Sequence, residues 1–389
     1  MFCIKFDIKK HYIFIAIFMG YLAMLLEPSI SVAYSDKSDD VMRHYFRFEN
    51  YDLNKSFLDN LSGYTDLILP LIYFFGRLLN LKKEIIPFFS VFISYFVILK
   101  IFYELFKKKS NNTNLFLLYL ILFFSVEFRS CALNIRNFPA ICLMAYGMFL
   151  YFNNNQKLKS IMFILFANMM HISTLMLTII FILYLLLAKI YFFKKYFYIF
   201  FILSIILAFM PMKIIINFIL YCYPIIPEFI KKPLESYILG YNAFEYLSDT
   251  SMKGLIYIYL KQTIKIGVTI YIVLFLRQKI KNRKFYCFLL FSTSCIFVLY
   301  PLPSLFNRYI DFSFLLATIT FCIYINETNG IDFKLFFTIL FALFILAIAD
   351  IYATRYLLEA TLPKLLHPTI YNILFDSIPY KNWLYYFSS

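Results

Sequence analysis

Apolar residues run along this chain in long blocks separated by short polar tufts. A helix rises about 1.5 Å per residue, so about twenty apolar residues reach across the hydrocarbon of a bilayer. The blocks Tyr12–Leu26, Ile85–Phe106, Leu115–Phe128, Phe138–Phe152, Ser160–His171, Ser173–Phe193, Tyr196–Met210, Leu255–Leu276, Phe285–Tyr300, Tyr309–Ile325 and Leu335–Ala353 are predicted to cross as helices. That makes about eleven spans, within roughly ten to twelve because several blocks are short. Leu67–Leu79 differs. It is apolar for only about thirteen residues and carries Pro70, Gly76 and Arg77. If it crossed, Lys107–Lys109 would face the exterior, so an interfacial or re-entrant helix is expected instead.

The tufts set the orientation. Lys5, Lys9 and Lys10, then Lys107–Lys109, Lys157, Lys194-Lys195 and Arg277–Lys284 recur where the alternation of spans puts the same side. Basic loops stay in the cytoplasm, which places the N-terminus there. Ser31-Val32-Ala33 resembles a signal-peptide cleavage site, but the many later spans favour an uncleaved first helix. Segments of mixed charge then fall outside: 34–64, Arg129–Arg136, 212–254, Pro301–Arg308 and the tail 354–389. The expected architecture is all-α. It is a polytopic transmembrane helix bundle, a single integral membrane domain over 1–389 with exterior amphipathic helices and loops.

Composition agrees with this pattern. The chain is 62% hydrophobic and 15% charged, against about 45–50% and about 25% for soluble domains. The net charge of +15 sits in loop tufts rather than in a basic soluble domain, which argues against nucleic acid as a partner. Seven cysteines form no C-x-x-C pair, and no disulfide framework or metal site is expected. A Walker loop and a glycine-rich dinucleotide turn are both missing, so neither ATP nor a cytoplasmic nucleotide sugar is expected, and no cofactor.

Candidate chemistry gathers at the exterior junctions. Arg129 and Arg136 bracket one of them, two helical turns apart. Guanidinium suits phosphate because its planar fork of donors keeps its charge, although arginines here could also reach lipid headgroups. Pro139 suits the first turn of the helix that follows, whose free N–H groups would favour an anion. His171 ends a span and can exchange a proton near neutral pH; a polar end-group is the plainer alternative. Arg308 ends another span, with Asp311 one turn inward. Asp311, Asp350 and Lys265 are costly inside spans and carry a milder functional flag. Asp39-Asp40 with Tyr45 pairs acids with an aromatic ring, which suits a sugar; such a carboxylate can also take a hydroxyl proton. The alternative there is a solvated amphipathic loop.

The stretch Asn134-Ile135-Arg136-Asn137-Phe138-Pro139-Ala140 is followed by a span, a short Lys/Asn turn, and Ala167–Ser173 with His171. This pattern resembles the EpsG group of Wzy-type polysaccharide polymerases, with Asn137 where that group usually has Gln. Asp39-Asp40 with Tyr45, the helix ending near Gly76, and Ile378-Pro379-Tyr380-Lys381 extend the resemblance over most of the chain. The resemblance implies an enzyme of the bacterial cytoplasmic membrane, acting at its outer face. There it joins oligosaccharide repeat units carried on polyprenyl diphosphate, with no nucleotide, to make O-antigen, capsule or exopolysaccharide. It implies the lipid-linked oligosaccharide and the bilayer as partners, with a chain-length regulator and a flippase alongside. Asp39, Asp40 and His171 would be catalytic, with the acid pair as the base, since a carboxylate is ionised at neutral pH, and His171 as a phosphate or sugar contact; Arg129, Arg136, Arg308 and Tyr45 would bind diphosphate or sugar. The alternatives are a membrane acyltransferase that modifies a glycan, with His171 as base, and a flippase or exporter of lipid-linked sugars.

The orientation is open to a direct test. Reporter fusions at Lys157 and Lys281 should signal a cytoplasmic side, and a fusion at Tyr241 the opposite side. The same signal from Tyr241 and Lys281 would overturn the span assignment.

Overall fold

The computed structural model describes residues 8–26, 40–61, 66–107, 113–225, 231, 252–328 and 333–359. Among these the secondary structure is helical throughout, with no strand. Asp39 and the tail from residue 360, including Ile378–Lys381, lie outside the described residues, as does most of 226–251.

Among the described residues, four helices are long and apolar enough to cross a membrane: Ile85–Phe106, Gly254–Leu276, Leu305–Thr328 and Lys334–Thr354. The chain is therefore of membrane type. Other apolar blocks form shorter helices. The block Phe138–Phe152 gives a helix of 16 residues at Asn137–Phe152, and Ser160–His171 gives one of 14 at Lys157–Met170. A polar junction or a helix-ending loop cuts each below the crossing length of about twenty residues.

Contacts divide the chain into two compact units, residues 1–175 with 343–389, and residues 176–342. The first unit is built on α1 (Ile8–Met24), α2 (Asp40–Glu49), α3 (Phe57–Leu61), α4 (Ile68–Leu78), α5 (Ile85–Phe106), α6 (Thr113–Ser125), α7 (Phe128–Leu133), α8 (Asn137–Phe152) and α9 (Lys157–Met170). At its center lies α5, with α1, α6, α7 and α8 packed on it and α9 on α8. The close approach of α8 to α9 needs Gly147, where a Cβ would come within 3.1 Å of Ile164 Cγ1. Gly76 plays the same part for α4, since a Cβ there would meet Phe48 of α2 at 2.7 Å. Leu67–Leu79 does form a helix, α4, of 11 residues, about 16 Å long and so roughly half of a bilayer's hydrocarbon. One face buries Leu69, Tyr73 and Gly76, and the other exposes Leu71, Phe75 and Leu78.

Several polar side chains reach helix ends and helix junctions, where backbone groups lack partners. Asp350 accepts the Arg129 N–H at 3.0 Å in the first turn of α7. Ser90 of α5 donates to the Cys131 carbonyl at 2.5 Å, and Tyr95 to the Val126 carbonyl at 3.2 Å. Tyr146 of α8 donates to Glu104 at the far end of α5, at 2.5 Å.

Helix α10 (Thr174–Leu187) leads into the second unit, which contains α11 (Tyr191–Ala208), α12 (Met212–Cys222), α13 (Met252–Leu276), α14 (Arg283–Phe297) and α15 (Pro303–Thr328); α16 (Phe333–Glu359) leads back. Within it α13 and α15 pack together, α14 packs on α15, and α11 packs on α14. Two polar rungs join α13 to α15: Gln262 donates to Asn307, and Lys265 is ion-paired with Asp311. Beyond the end of α13, Glu327 of α15 accepts the N–H groups of Lys281 at 2.8 Å and Asn282 at 2.9 Å. The two helices thus run parallel and in register.

Lys265 and Asp311 are both buried, so removing one partner takes away an ion pair that offsets the burial of the other. Lys265→Met should destabilise the protein by about 3–5 kcal/mol, and the double variant Lys265→Met/Asp311→Leu should recover most of that. Thermal unfolding in detergent measures both. A single variant as stable as the wild type would show that the pair holds nothing together.

Candidate functional site

The site starts from a corner in the chain. Helix α7 ends at Leu133, Asn134 breaks the helical path, and Arg136 caps the start of α8. Helix α9 ends at Met170, and His171 follows in extended backbone. The Leu67 N–H bonds the Met169 carbonyl at 2.9 Å, which sets Asp66 beside the end of α9. Asp40 opens α2. All four residues belong to the first unit.

Arg136 binds both carboxylates. Its Nε and Nη2 donate to Asp40 Oδ2 at 3.1 Å and Oδ1 at 2.7 Å, a two-point contact. Its Nη1 donates to Asp66 Oδ2 at 2.8 Å. The other Asp66 oxygen lies 3.3 Å from His171 Nδ1 and accepts the Ile172 N–H at 3.2 Å. A second tie closes the same corner, where Ser173 donates to Asn137 Oδ1 at 3.1 Å. The Arg136-Asn137 and His171-Ile172-Ser173 stretches are thereby brought side by side.

Around Asp40 the network widens. Arg43 Nη2 donates to Asp40 Oδ1 at 2.9 Å. His44 Nε2 is 3.6 Å from the same oxygen, beyond hydrogen-bond length but within electrostatic reach. The other His44 nitrogen contacts the Tyr73 hydroxyl of α4. His44 and Tyr73 are both buried.

The charges respond to these contacts. Burial alone would raise the Asp40 carboxyl, but the neighbouring His44 and Arg136 overcome it and hold Asp40 well below the usual carboxylate range. Burial opposes ionisation of Asp66 as well, and His171 and Arg136 together lower it. Burial depresses His44; Asp40 pulls it back, and Arg136 and Arg47 push it down further. Arg136 is raised on balance, because its two carboxylates outweigh its burial.

Of the residues expected from the sequence, Asp40, Arg136 and His171 meet in this cluster. Tyr45 is next to it on α2, but its ring is buried, with Lys83 Nζ 5.4 Å from the ring centroid. Arg129 lies on α7, its backbone N–H held by Asp350. Arg308 lies on α15 in the second unit, one turn before the Asp311 that Lys265 engages. Asp39 is outside the described residues. Asp66, His44, Tyr73 and Arg43 belong to the site without having been singled out. For Asp66 a signal existed: it is the lone acid at the head of the short apolar helix. Among the described residues, no group of three or more His, Cys, Asp or Glu side chains is placed to hold a metal ion. Compared with protein-family models, curated proteins and solved structures, the chain matches none.

The depressed carboxyls fix the sign of a pH effect. A carboxyl lowered on folding stabilises fully above its unfolded value of about 3.9, and loses that contribution as pH falls through the folded value. The stability difference between wild type and Asp40→Asn should therefore stay level over about pH 5–8 and shrink below about pH 4. Thermal midpoints in detergent across that range measure it. A difference that shrinks already near neutral pH would contradict the ion pair.

Proposed function

We propose that this protein is a membrane glycosyltransferase of the Wzy-type polymerase class. It joins polyprenyl-diphosphate-linked oligosaccharide repeat units at the outer face of the bacterial cytoplasmic membrane. In this reading the shorter apolar helices complete about eleven spans, the N-terminus is cytoplasmic, and the cluster around Arg136 faces outward. The observation that carries the reading is the meeting of Arg136, Asp66 and His171, from three separate segments, in one charged and largely buried network.

The chemistry needs a base and a counter-charge. The acceptor is a sugar hydroxyl, which attacks poorly until its proton is removed. Asp40 is ionised, but two-point binding by Arg136 makes it a weak proton acceptor. His171 is better placed for the base. Asp66 sits against its Nδ1, which orients the ring, leaves Nε2 to take the proton and stabilises the imidazolium that forms. Arg136 then braces both carboxylates rather than acting alone on an anion. In the transfer, the hydroxyl oxygen forms the new glycosidic bond as its proton passes to His171. The bond from the anomeric carbon to the diphosphate oxygen breaks, and the polyprenyl diphosphate departs with that electron pair. The charge developing on the diphosphate calls for cationic groups nearby.

The test is an elongation assay with lipid-linked repeat units and the purified protein in bilayer discs. His171→Gln should lower the rate by about 10²–10⁴, the usual cost of losing a general base. Asp66→Asn should also slow elongation and shift its dependence on pH. Transfer that requires an acyl donor would instead mark an acyltransferase, and movement of repeat units across the bilayer without lengthening would mark a flippase. Elongation at wild-type rate by His171→Gln would remove the base assigned here.

A further inference from the structure

The core of the cluster has two carboxylates against one guanidinium, which is poor company for a leaving group that carries two phosphates. The cations it needs lie on the rim. Helix α2 buries Val41, His44, Tyr45 and Phe48 along one face. Its other face presents Arg43, Phe46 and Arg47, all exposed. Arg43 and Arg47 are one turn apart, and such pairs share a face of a helix. The Arg43 side chain is 58% exposed, although one edge rests on Asp40 at 2.9 Å. That contact fixes where the guanidinium starts and leaves much of it open. Arg47 is close enough for its charge to act on His44, so it belongs to the same electrostatic neighbourhood. At the end of α2, Glu49 is paired with Lys83 at 2.7 Å. Phe46 is 68% exposed between the two arginines.

We propose that Arg43, Arg47 and Phe46 form the docking face for the diphosphate of the lipid-linked substrate, with the guanidinium forks on the phosphates and the Phe46 ring against the first apolar part of the polyprenyl chain. The proposal rests on the polymerase reading and adds where the leaving group sits. Guanidinium is the apt group, because two parallel N–H donors match two phosphate oxygens and an ammonium cannot do this. The carboxylates of the core lie behind these arginines. Asp40 orients Arg43, and the arginine charges offset the repulsion that an incoming anion would otherwise meet. An anionic lipid headgroup offers related chemistry, and the experiment separates the two sources.

The experiment uses the full-length protein in discs of phosphatidylcholine, titrated with decaprenyl diphosphate that carries no sugar. Arg47→Gln leaves the Asp40 contacts in place and should weaken binding by about tenfold; the double variant Arg43→Gln/Arg47→Gln should weaken it by about a hundredfold or more. Arg47→Lys should recover only part of the loss. Phosphatidylglycerol added to the discs should compete weakly. If the Gln variants bind the probe as the wild type does, the docking face is elsewhere. If phosphatidylglycerol displaces the probe mole for mole, the arginines hold bulk headgroups and the proposal falls. If binding depends on the two arginines while repeat units are never lengthened, the diphosphate site stands and the polymerase reading fails. If lengthening proceeds and binding ignores the arginines, the reverse holds.

Discussion

The first unit depends on one guanidinium. Arg136 reaches Asp40, 96 positions before it, and Asp66, 70 positions before it, and so draws three segments to one point. A buried charge is costly unless paired and hydrogen-bonded, and a second carboxylate beside the first would be costlier still. The fork meets both conditions, with three of its donors on two carboxylates. Remove it and two acids face each other in a largely buried pocket. The backbone bond from Leu67 to Met169 and the link between Ser173 and Asn137 then act as stays on a junction that charge has already closed.

The same logic governs the rest of this apolar chain. Greasy helices pack with little regard for polar groups except where they end, because there the backbone has no partners of its own. Asp350 meets the first turn of α7, Glu327 meets the turn before α14, and Asn282 accepts the Phe285 N–H at the start of α14. Lys265 and Asp311 are the exception, a charge pair inside the helices rather than at their ends. Like Arg136, each of these two meets a counter-charge in the interior. The site is a variation on an end-of-helix device: Arg136 stands at the start of α8 and His171 at the end of α9.

In the proposed mechanism this arrangement divides the work. The inner layer holds protons and orientation: Asp66 turns His171, and Arg136 keeps the acids ionised. An outer layer on α2 carries positive charge toward the substrate. Separating the layers resolves a conflict that a lone arginine could not, since a guanidinium whose charge is already offset by two carboxylates has little attraction left for a third anion. Helix α2 can serve both layers because it is amphipathic. Its buried face contributes His44 to the network, and its open face carries Arg43 and Arg47.

The order of elements was written in the chain. The block Ile85–Phe106 folds as a helix with those same ends, and Leu255–Leu276 and Tyr309–Ile325 lie within α13 and α15. The short helix before α5 was legible from its length and its Pro, Gly and Arg. These features depend on local hydropathy, which a window of about twenty residues contains. Arg136, His171 and Asp40 also stood out, since charged residues are rare in such a sequence. Their partners did not. Asp311 stands one turn from Arg308, and its carboxylate pairs with Lys265, 46 positions back. Asp66 drew no notice, and Tyr45 looked like a sugar-facing ring, where folding buries it and exposes Phe46 instead. Pairing of charges depends on distance in space, and which face of α2 meets α5 is decided by packing across the unit. No local window holds either quantity. The sequence by itself thus determined the helices and the charged residues available to them, and the tertiary structure alone decided which of those charges would meet across the fold.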